Sequence, residues 1–298
     1  MGARRSSTGR LGAGRQRTGR RGGRLAAVVA VLFATVLGLG AHPAAADPVT
    51  APGGGTHEVI GSILTRYQAL GGPAGPLGRP LTDELRTPDE SGRYNHFERG
   101  SIYWSPSAGA HAVMGAIRNT WTYLGWERGP LGYPTSDERV SPGGRGRYNT
   151  FVGGAILWSP ATGAREVRGG IAQTYAALGW DRSPLGFPVT NEQITPNGQG
   201  RYSVFQYGSI YWSPTTGAHA VMGAIRDRWA HEGWEAGWLG FPITEEFPVP
   251  GGRAQDFQCG SIGWTPGGGT VIARIWRSGC TRFQWDSYGS GFGWGADL

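Results

Sequence analysis

Arginine, tyrosine and hydroxyl side chains recur along this chain about every 54 residues, and their chemistry suits an acidic carbohydrate. A guanidinium can bind a carboxylate through two hydrogen bonds. A tyrosine ring can contact sugar C–H groups, and a hydroxyl can donate to a sugar hydroxyl. The predicted ligand-binding residues are Arg93, Arg147, Arg201 and Arg253, Thr82, Ser136, Thr190 and Thr244, and Tyr94, Tyr148 and Tyr202. The alternative is that each arginine pairs with a glutamate of its own unit and each tyrosine belongs to the core.

Motifs for catalysis or metal binding are absent from the sequence. It lacks the Gly-x-Ser-x-Gly turn of serine hydrolases and the His-Glu-x-x-His helix of zinc enzymes. Paired acids recur at equivalent positions, as in Asp83-Glu84 and Asp137-Glu138. We expect them to accept hydrogen bonds from loop backbone, because neighbouring residues rarely face one cleft as a glycosidase pair must. The sequence therefore predicts a protein that is not an enzyme and that holds neither a cofactor nor a metal.

The tetrapeptide Leu-Gly-aromatic-Pro sets the period of the chain. It occurs at residues 77–80, 131–134, 185–188 and 239–242, with Arg79 in the aromatic position of the first copy. A fixed step of this kind is typical of tandem-repeat proteins, whose small units stack on their neighbours. The predicted repeats are 61–114, 115–168, 169–222 and 223–272, with a linker at 47–60 and a C-terminal cap at 273–298.

Each unit combines a helical pattern with strand-like segments. In the second unit Ile117, Trp121 and Leu124 share one helical face, and Gly125 follows as a helix stop. Strand-like segments separated by glycine-containing turns come after the tetrapeptide. The predicted fold is therefore α+β and β-rich: four small modules, each a short helix plus three or four short strands, stacked as an extended rod.

Particular residues are expected to hold each module together. The leucine of the tetrapeptide should fill the core, its glycine should allow close backbone approach, and its proline should stop the helix from continuing. One tryptophan in each unit is expected to be the buried anchor, because a buried indole removes a large apolar surface from water. These tryptophans are Trp104, Trp158, Trp212 and Trp264.

The first 46 residues predict a secretory signal peptide. They hold eight arginines and no acid, then an apolar run from Leu25 to Leu39 and a small-residue site at residues 44–46. The alternative is an uncleaved membrane anchor. From Asp47 onward, 20 arginines face 21 acidic residues, so the formal charge of +7 belongs to the leader. A nearly neutral mature chain lacks the basic surface that nucleic-acid binding requires, and no later segment is predicted to span a membrane.

Cys259 and Cys280 are the two cysteines of the chain. In an exported protein an even number of cysteines permits a disulfide, which here would attach the C-terminal cap to the fourth repeat. Two free thiols are the alternative.

The repeats resemble the LGFP repeat of actinobacterial envelope proteins. The resemblance is carried by Leu-Gly-Phe-Pro, the Gly-x-Ile-x-x-x-Trp opening and the Phe-x-x-Gly-x-Ile-x-Trp-x-Pro-x-x-Gly-Ala close, over residues 61 to about 272. It implies small β-rich modules that attach non-covalently to peptidoglycan or to peptidoglycan–arabinogalactan. Arg79 and Ala254 depart from the pattern in the first and fourth repeats.

These observations together predict a secreted, cell-wall-associated, non-enzymatic protein that binds cell-wall glycan polymer multivalently. One alternative is a structural or adaptor protein that recruits other envelope proteins. Another is a closed ring of repeats that acts as a propeller-like lectin.

Overall fold

The computed structural model describes residues 47–50, 56–274 and 280, all of which lie in one unit spanning residues 43–298. The described strands form four separate four-stranded antiparallel sheets and one two-stranded hairpin, and none of these sheets closes into a barrel. A short helix precedes each four-stranded sheet. The predicted tandem array of helix-plus-strand units is therefore confirmed. The predicted signal peptide lies outside the described residues, and within those residues no helix has the length and apolar character needed to cross a membrane.

The four helices begin at the predicted residues and have the same length. They are α1 (Gly61–Ala69), α2 (Gly115–Tyr123), α3 (Gly169–Ala177) and α4 (Gly223–His231). Gly125 follows α2 in the left-handed conformation at φ 96° and ends the helix as predicted. A single 3-10 turn comes next in each repeat, at Gly72–Ala74, Trp126–Arg128, Trp180–Arg182 and Trp234–Ala236.

Each four-stranded sheet pairs consecutive strands. Repeat 1 contains β3 (Leu85–Arg86), β4 (Arg93–Phe97), β5 (Gly100–Ser105) and β6 (Gly109–Met114). Repeat 2 contains β7 (Arg139–Val140), β8 (Arg147–Phe151), β9 (Gly154–Ser159) and β10 (Gly163–Arg168). Repeat 3 contains β11 (Gln193–Ile194), β12 (Arg201–Phe205), β13 (Gly208–Ser213) and β14 (Gly217–Met222). Repeat 4 contains β15 (Phe247–Val249), β16 (Gly252–Phe257), β17 (Gly260–Thr265) and β18 (Gly269–Arg274).

A β-hairpin occupies the segment 47–60, which the sequence predicts to be a linker. It consists of β1 (Asp47–Thr50) and β2 (Thr56–Val59), paired antiparallel. Val59 is fully buried in the core of repeat 1. The sequence did not indicate this hairpin because its two strands are only four residues long each and the core that buries Val59 belongs to repeat 1.

Each four-stranded sheet packs on both of its faces, because successive side chains of a strand point to opposite sides. In β5, Ile102 joins the core that contains α1, whereas Tyr103 joins the core that contains α2. Helix α2 therefore packs between the sheets of repeats 1 and 2, and α3 and α4 pack in the same way further along. A repeat in isolation would expose one face of its sheet, so its stability depends on its neighbours.

The tetrapeptide holds each unit together. Its leucine is fully buried in all four copies, as predicted. Its glycine has a positive φ of 66° to 75°, a conformation that a side chain would strain. The sequence analysis predicted that its proline stops the helix, and this was wrong. In repeat 2 the helix α2 has already ended at Tyr123, well before Pro134. Pro134 instead forms an isolated antiparallel β-bridge with Phe151 of β8, and the other three prolines form equivalent β-bridges.

The aromatic residue of the tetrapeptide packs against the preceding repeat. A Cβ atom on Gly146 would lie 2.7 Å from the ring of Phe187, so only glycine fits beneath this ring. Tyr133 and Phe241 approach the turn glycines of repeats 1 and 3 in the same way. Repeat 1 follows no complete repeat, and its Arg79 is exposed. This explains why the first copy lacks an aromatic residue at that position.

Polar side chains join consecutive repeats through the backbone. Asp137 Oδ1 accepts a hydrogen bond from the Ala112 N–H at 2.8 Å, and Asn149 donates to the carbonyl oxygens of Ala112 and Ser136 at 2.9 Å each. The first acid or amide of the other repeats accepts from the preceding strand in the same manner: Asp83 from Glu58, Asn191 from Glu166, and Glu245 from Ala220. The first residue of each pair therefore accepts from backbone, but the donor lies in a strand of the preceding unit and not in a loop as predicted.

The buried anchors are the aromatic residues of the helices, and the prediction for the strand tryptophans was wrong. Trp121 and Trp229 are fully buried, and Tyr67 and Tyr175 occupy the same position in repeats 1 and 3. Trp158 and its counterparts are only half-buried. The reason is their place in the sheet, beside the small residues that begin each helix, where too few atoms are available to cover an indole.

A disulfide joins Cys259 and Cys280, whose Cα atoms are 5.6 Å apart. The bridge links the turn between β16 and β17 to the C-terminal segment, as the sequence suggested. Apart from residues 273, 274 and 280, the predicted cap lies outside the described residues.

Candidate ligand-binding site

An arginine and a tryptophan lie directly opposite each other on two neighbouring strands in every repeat. Opposed residues of an antiparallel pair project from the same face of the sheet, so the guanidinium and the indole are neighbours. The pairs are Arg93 with Trp104, Arg147 with Trp158, Arg201 with Trp212, and Arg253 with Trp264.

A glutamate accompanies the arginine. In repeat 2, Arg147 Nε lies 4.0 Å from Glu138 Oε1, with about half of the arginine side chain exposed and 19% of the glutamate. Burial raises the pKa of the Glu138 carboxyl above its usual range, and Arg147 partly offsets this rise. Equivalent ion pairs join Arg93 to Glu84 at 4.0 Å and Arg253 to Glu246 at 2.8 Å.

These side chains line a groove at the start of the helix. In repeat 2 the groove has a volume of about 310 Å³ and is lined by Gly115, Ala116, Ile117, Glu138, Arg147 and Trp158. In repeat 3 a Cβ atom on Gly170 would lie 2.7 Å from Trp212 Cδ1, so this indole rests on the first turn of α3. The groove thus combines an aromatic surface with a cation and a carboxylate.

An exposed aliphatic side chain extends the groove in the two middle repeats. Val140 is opposed to Arg147, and Ile194 is opposed to Arg201. Val140 is 56% exposed and Ile194 is 60% exposed. The apolar surface of these two grooves therefore continues to the edge of the sheet.

The predicted hydroxyl residues lie in the loop that follows the tetrapeptide. Each accepts a hydrogen bond of 3.0 Å from a backbone N–H of the second strand of its sheet: Thr82 from His96, Ser136 from Thr150, Thr190 from Val204, and Thr244 from Asp256. Ser136 is also buried and donates to the Asp137 carbonyl oxygen. These contacts close the loop, and a role of the hydroxyls in ligand binding stays a prediction.

The predicted tyrosines lie on the opposite face of the sheet from the arginines, because each follows its arginine in the strand. Tyr94 stacks on Tyr103 with ring centroids 4.9 Å apart, and a cleft of about 220 Å³ beside them also contacts Trp126 of the next repeat. His96 borders this cleft, and burial and the nearby Arg118 lower the pKa of its imidazole to about 4. Tyr202 stacks on Tyr211, and Tyr148 lies near Trp180. The arginines and tyrosines therefore do not form one site.

The tryptophans are the groove residues that the sequence did not assign to a ligand. Strand register could have placed them, because Trp158 and Arg147 are equally far from the turn that joins their strands. The exposure of Val140 had no signal in the sequence, since it depends on β7 being a two-residue edge strand.

Comparisons with known proteins are informative at the family level. The family model described as LGFP repeat matches residues 77–129, 131–183, 185–237 and 239–290. None of the curated proteins matches the chain. Virginiamycin B lyase from Staphylococcus aureus is 8% identical over 76% of this chain and 61% of its own, with a TM-score of 0.15. The extracellular domain of the one component system BT4673 from B. thetaiotaomicron is 8% identical over 76% of this chain and 34% of its own, with a TM-score of 0.15. The chain thus spans less than two thirds of either protein, and neither similarity bears on fold or function.

Proposed function

The chain belongs to the LGFP repeat family, and on that premise we propose that it is a secreted, non-enzymatic protein of the cell envelope that binds cell-wall glycan. The polymer would be peptidoglycan or peptidoglycan–arabinogalactan. The observation that carries the proposal is the groove formed by Trp158, Arg147 and Glu138 at the start of α2. The same three residue types recur in register in the other repeats.

The groove has the chemical groups that a sugar ring requires. A pyranose presents a face of C–H groups, which can pack on an indole, and a rim of hydroxyls, which need donors and acceptors. Arg147 supplies donors and Glu138 supplies an acceptor beside the Trp158 ring. A ligand hydroxyl could thus replace the solvent that now contacts the half-exposed ion pair.

Repetition compensates for the weakness of a single shallow groove. Once one groove holds a polymer, the next groove meets the same chain at a high effective concentration. Overall affinity can then exceed that of a single groove by about two to four orders of magnitude without any new kind of contact. A glycan polymer is a suitable partner for such an array because it repeats as well.

Sedimentation with purified cell walls tests the proposal. We expect the purified protein to sediment with the walls at moderate salt. We expect the double variant Trp158→Ala/Trp212→Ala to lose at least about tenfold in apparent affinity, because two of four grooves lose their aromatic surface. Tyr123→Ala is the matched control, since Tyr123 is 84% exposed and lies at the far end of α2 from the groove.

Circular dichroism and thermal unfolding would verify that each variant is folded. Wild-type protein that stays in the supernatant would refute wall binding. Equal binding by the tryptophan variant and the tyrosine control would remove the groove from the proposal. Binding that depended on one repeat alone would instead favour the adaptor alternative.

A further inference from the structure

Repeat 3 differs from the other repeats in the residue that precedes its helix. Arg168 occupies the position that Ile60, Met114 and Met222 hold before the other helices. Its guanidinium Nη2 lies 3.2 Å from Glu192, the glutamate of the groove, and its Nε lies 3.0 Å from the buried Glu166. A second cation therefore reaches the carboxylate that in the other repeats has the groove arginine beside it.

The groove arginine of repeat 3, Arg201, therefore shares its glutamate with a second cation. Among the described residues, no carboxylate lies within 4.0 Å of the Arg201 guanidinium, whereas Arg147 and Arg253 each have one at or within that distance. Arg168 also acts on Glu192 more strongly than Arg201 does: burial raises the pKa of the Glu192 carboxyl, and Arg168 offsets more of that rise than Arg201. Arg201 is exposed and available to an external anion.

Apolar side chains flank the Arg201 guanidinium. Ile194 and Trp212 are opposed to Arg201 on its two neighbouring strands, so all three project from one face. Ile194 is 60% exposed. A ring whose C–H face meets Trp212 and Ile194 would place a substituent carboxylate against the guanidinium between them.

We propose that the groove of repeat 3 is specific for a carboxylate carried by the wall polymer, with Arg201 as the counter-ion. The proposal rests on the proposed function and identifies the chemical group that one of the four grooves recognises. A guanidinium binds a carboxylate through two parallel hydrogen bonds, and among the described residues Arg201 has no hydrogen bond to a carboxylate that it would have to give up. Arg253 must first give up its 2.8 Å contact with Glu246, and Arg147 has Glu138 at 4.0 Å with no second cation to share it, so their grooves are less selective for anions.

Matched arginine variants and a chemically altered polymer test the proposal. Binding would be measured on native walls and on walls whose carboxyl groups have been converted to amides. On native walls we expect Arg201→Ala to weaken apparent affinity about tenfold and Arg147→Ala no more than about twofold. On amidated walls we expect Arg201→Ala to bind as the wild type does.

A second variant tests whether Arg168 keeps Glu192 away from Arg201. Glu166→Ala/Arg168→Met gives the groove of repeat 3 the residue types that precede α2 and α4, Ala112 with Met114 and Ala220 with Met222. Glu192 can then pair with Arg201. We expect this variant to lose affinity for native walls about as much as Arg201→Ala does, although Arg201 itself is retained.

Two soluble competitors identify the source of the carboxylate. They are an oligosaccharide of glucuronic acid and an N-acetylated dipeptide with a free C-terminal carboxylate. Competition by either supports the proposal and assigns the group to sugar or to peptide; competition by neither overturns it. Equal losses in Arg201→Ala and Arg147→Ala, or an Arg201 effect that persists on amidated walls, would overturn it while wall binding stands. Wild-type protein that fails to bind native walls would overturn both proposals.

Discussion

The buried carboxyl of Glu166 should make the free energy of unfolding depend on pH, and the variant Glu166→Ala/Arg168→Met should remove this dependence. Its side chain is only 2% exposed, and burial raises the pKa of its carboxyl from 4.5 to about 7 despite the neighbouring Arg168. A raised pKa means that the folded protein binds this proton more tightly than the unfolded chain. The contribution of Glu166 to the free energy of unfolding is therefore greatest below pH 4.5 and is lost as the pH rises through about 7.

The size of this contribution follows from the shift in pKa. At about 1.4 kcal/mol for each unit, the difference between pH 4.5 and pH 8 is about 3 kcal/mol. Other carboxyl groups of the protein also titrate in this range, so a wild-type curve alone would not isolate Glu166. The Glu166→Ala/Arg168→Met variant keeps those groups, and the difference between the two proteins reports the Glu166–Arg168 pair.

Urea unfolding followed by tryptophan fluorescence measures the effect. We measure the free energy of unfolding of the double variant minus that of the wild type. We expect this difference to be about 3 kcal/mol larger at pH 8 than at pH 4.5, since the contribution of Glu166 is lost only in the wild type. Apolar residues can replace a buried ion pair without loss of stability. Glu166→Gln, which keeps the shape but not the charge, should flatten the curve as well. Parallel curves for all three proteins would show that Glu166 does not titrate with a raised pKa, and the reasoning from its burial would be wrong.

Two further predictions concern a joint between repeats and the C-terminal disulfide. Phe187→Ala should lower the free energy of unfolding by about 3–5 kcal/mol, because the Phe187 ring fills the joint with repeat 2. Arg79→Phe should change the free energy of unfolding by less than about 0.5 kcal/mol. Chemical denaturation of both variants measures these changes. Reduction of the Cys259–Cys280 bridge, whose cysteines are 21 residues apart, should lower stability by about 3 kcal/mol, as measured by thermal unfolding with and without reductant. An unchanged melting temperature after verified reduction would contradict the second prediction.

Local patterns in the sequence predicted the elements of each repeat. Ile117, Trp121 and the stop at Gly125 define α2 without any information from distant residues, and the period then places the other three helices. The turn glycines separate the strands in the same way. Such signals suffice because each helix or strand is short and ends at a residue type, usually glycine, that favours a helix stop or a hairpin turn.

Features that depend on contacts between residues distant in the sequence could not be predicted. Whether Trp158 is buried depends on how much of it Gly115 and Ala116 cover, and these residues belong to an earlier part of the repeat. The availability of Arg201 depends on Arg168, which competes for Glu192 from the end of the preceding sheet. The sequence thus predicted an arginine in every site, but not which arginine shares its glutamate with a second cation.

The joints between repeats are of two kinds, and this makes some repeats interchangeable. Arg118 Nε donates to Ser101 Oγ at 2.7 Å at the joint of repeats 1 and 2, and Arg226 Nε donates to Ser209 Oγ at 3.0 Å at the joint of repeats 3 and 4. Tyr103 and Tyr211 pack edge-on against the helix tryptophan at the same two joints. Repeat 2 presents Ala155 and Leu157 at these positions.

Deletion of residues 115–222 should therefore leave a folded two-repeat protein. Met114 would precede Gly223 as Met222 does now, and the sheet of repeat 1 would offer Arg226 and Trp229 the serine and tyrosine that they already contact. We expect a cooperative unfolding transition, and a loss of about 2 kcal/mol when Ser101→Ala and Tyr103→Leu introduce the residue types of repeat 2. Urea denaturation measures both quantities. An unfolded deletion protein would mean that each joint is specific to its own pair of repeats. A double substitution without effect would mean that the serine and the tyrosine do not distinguish the two kinds of joint.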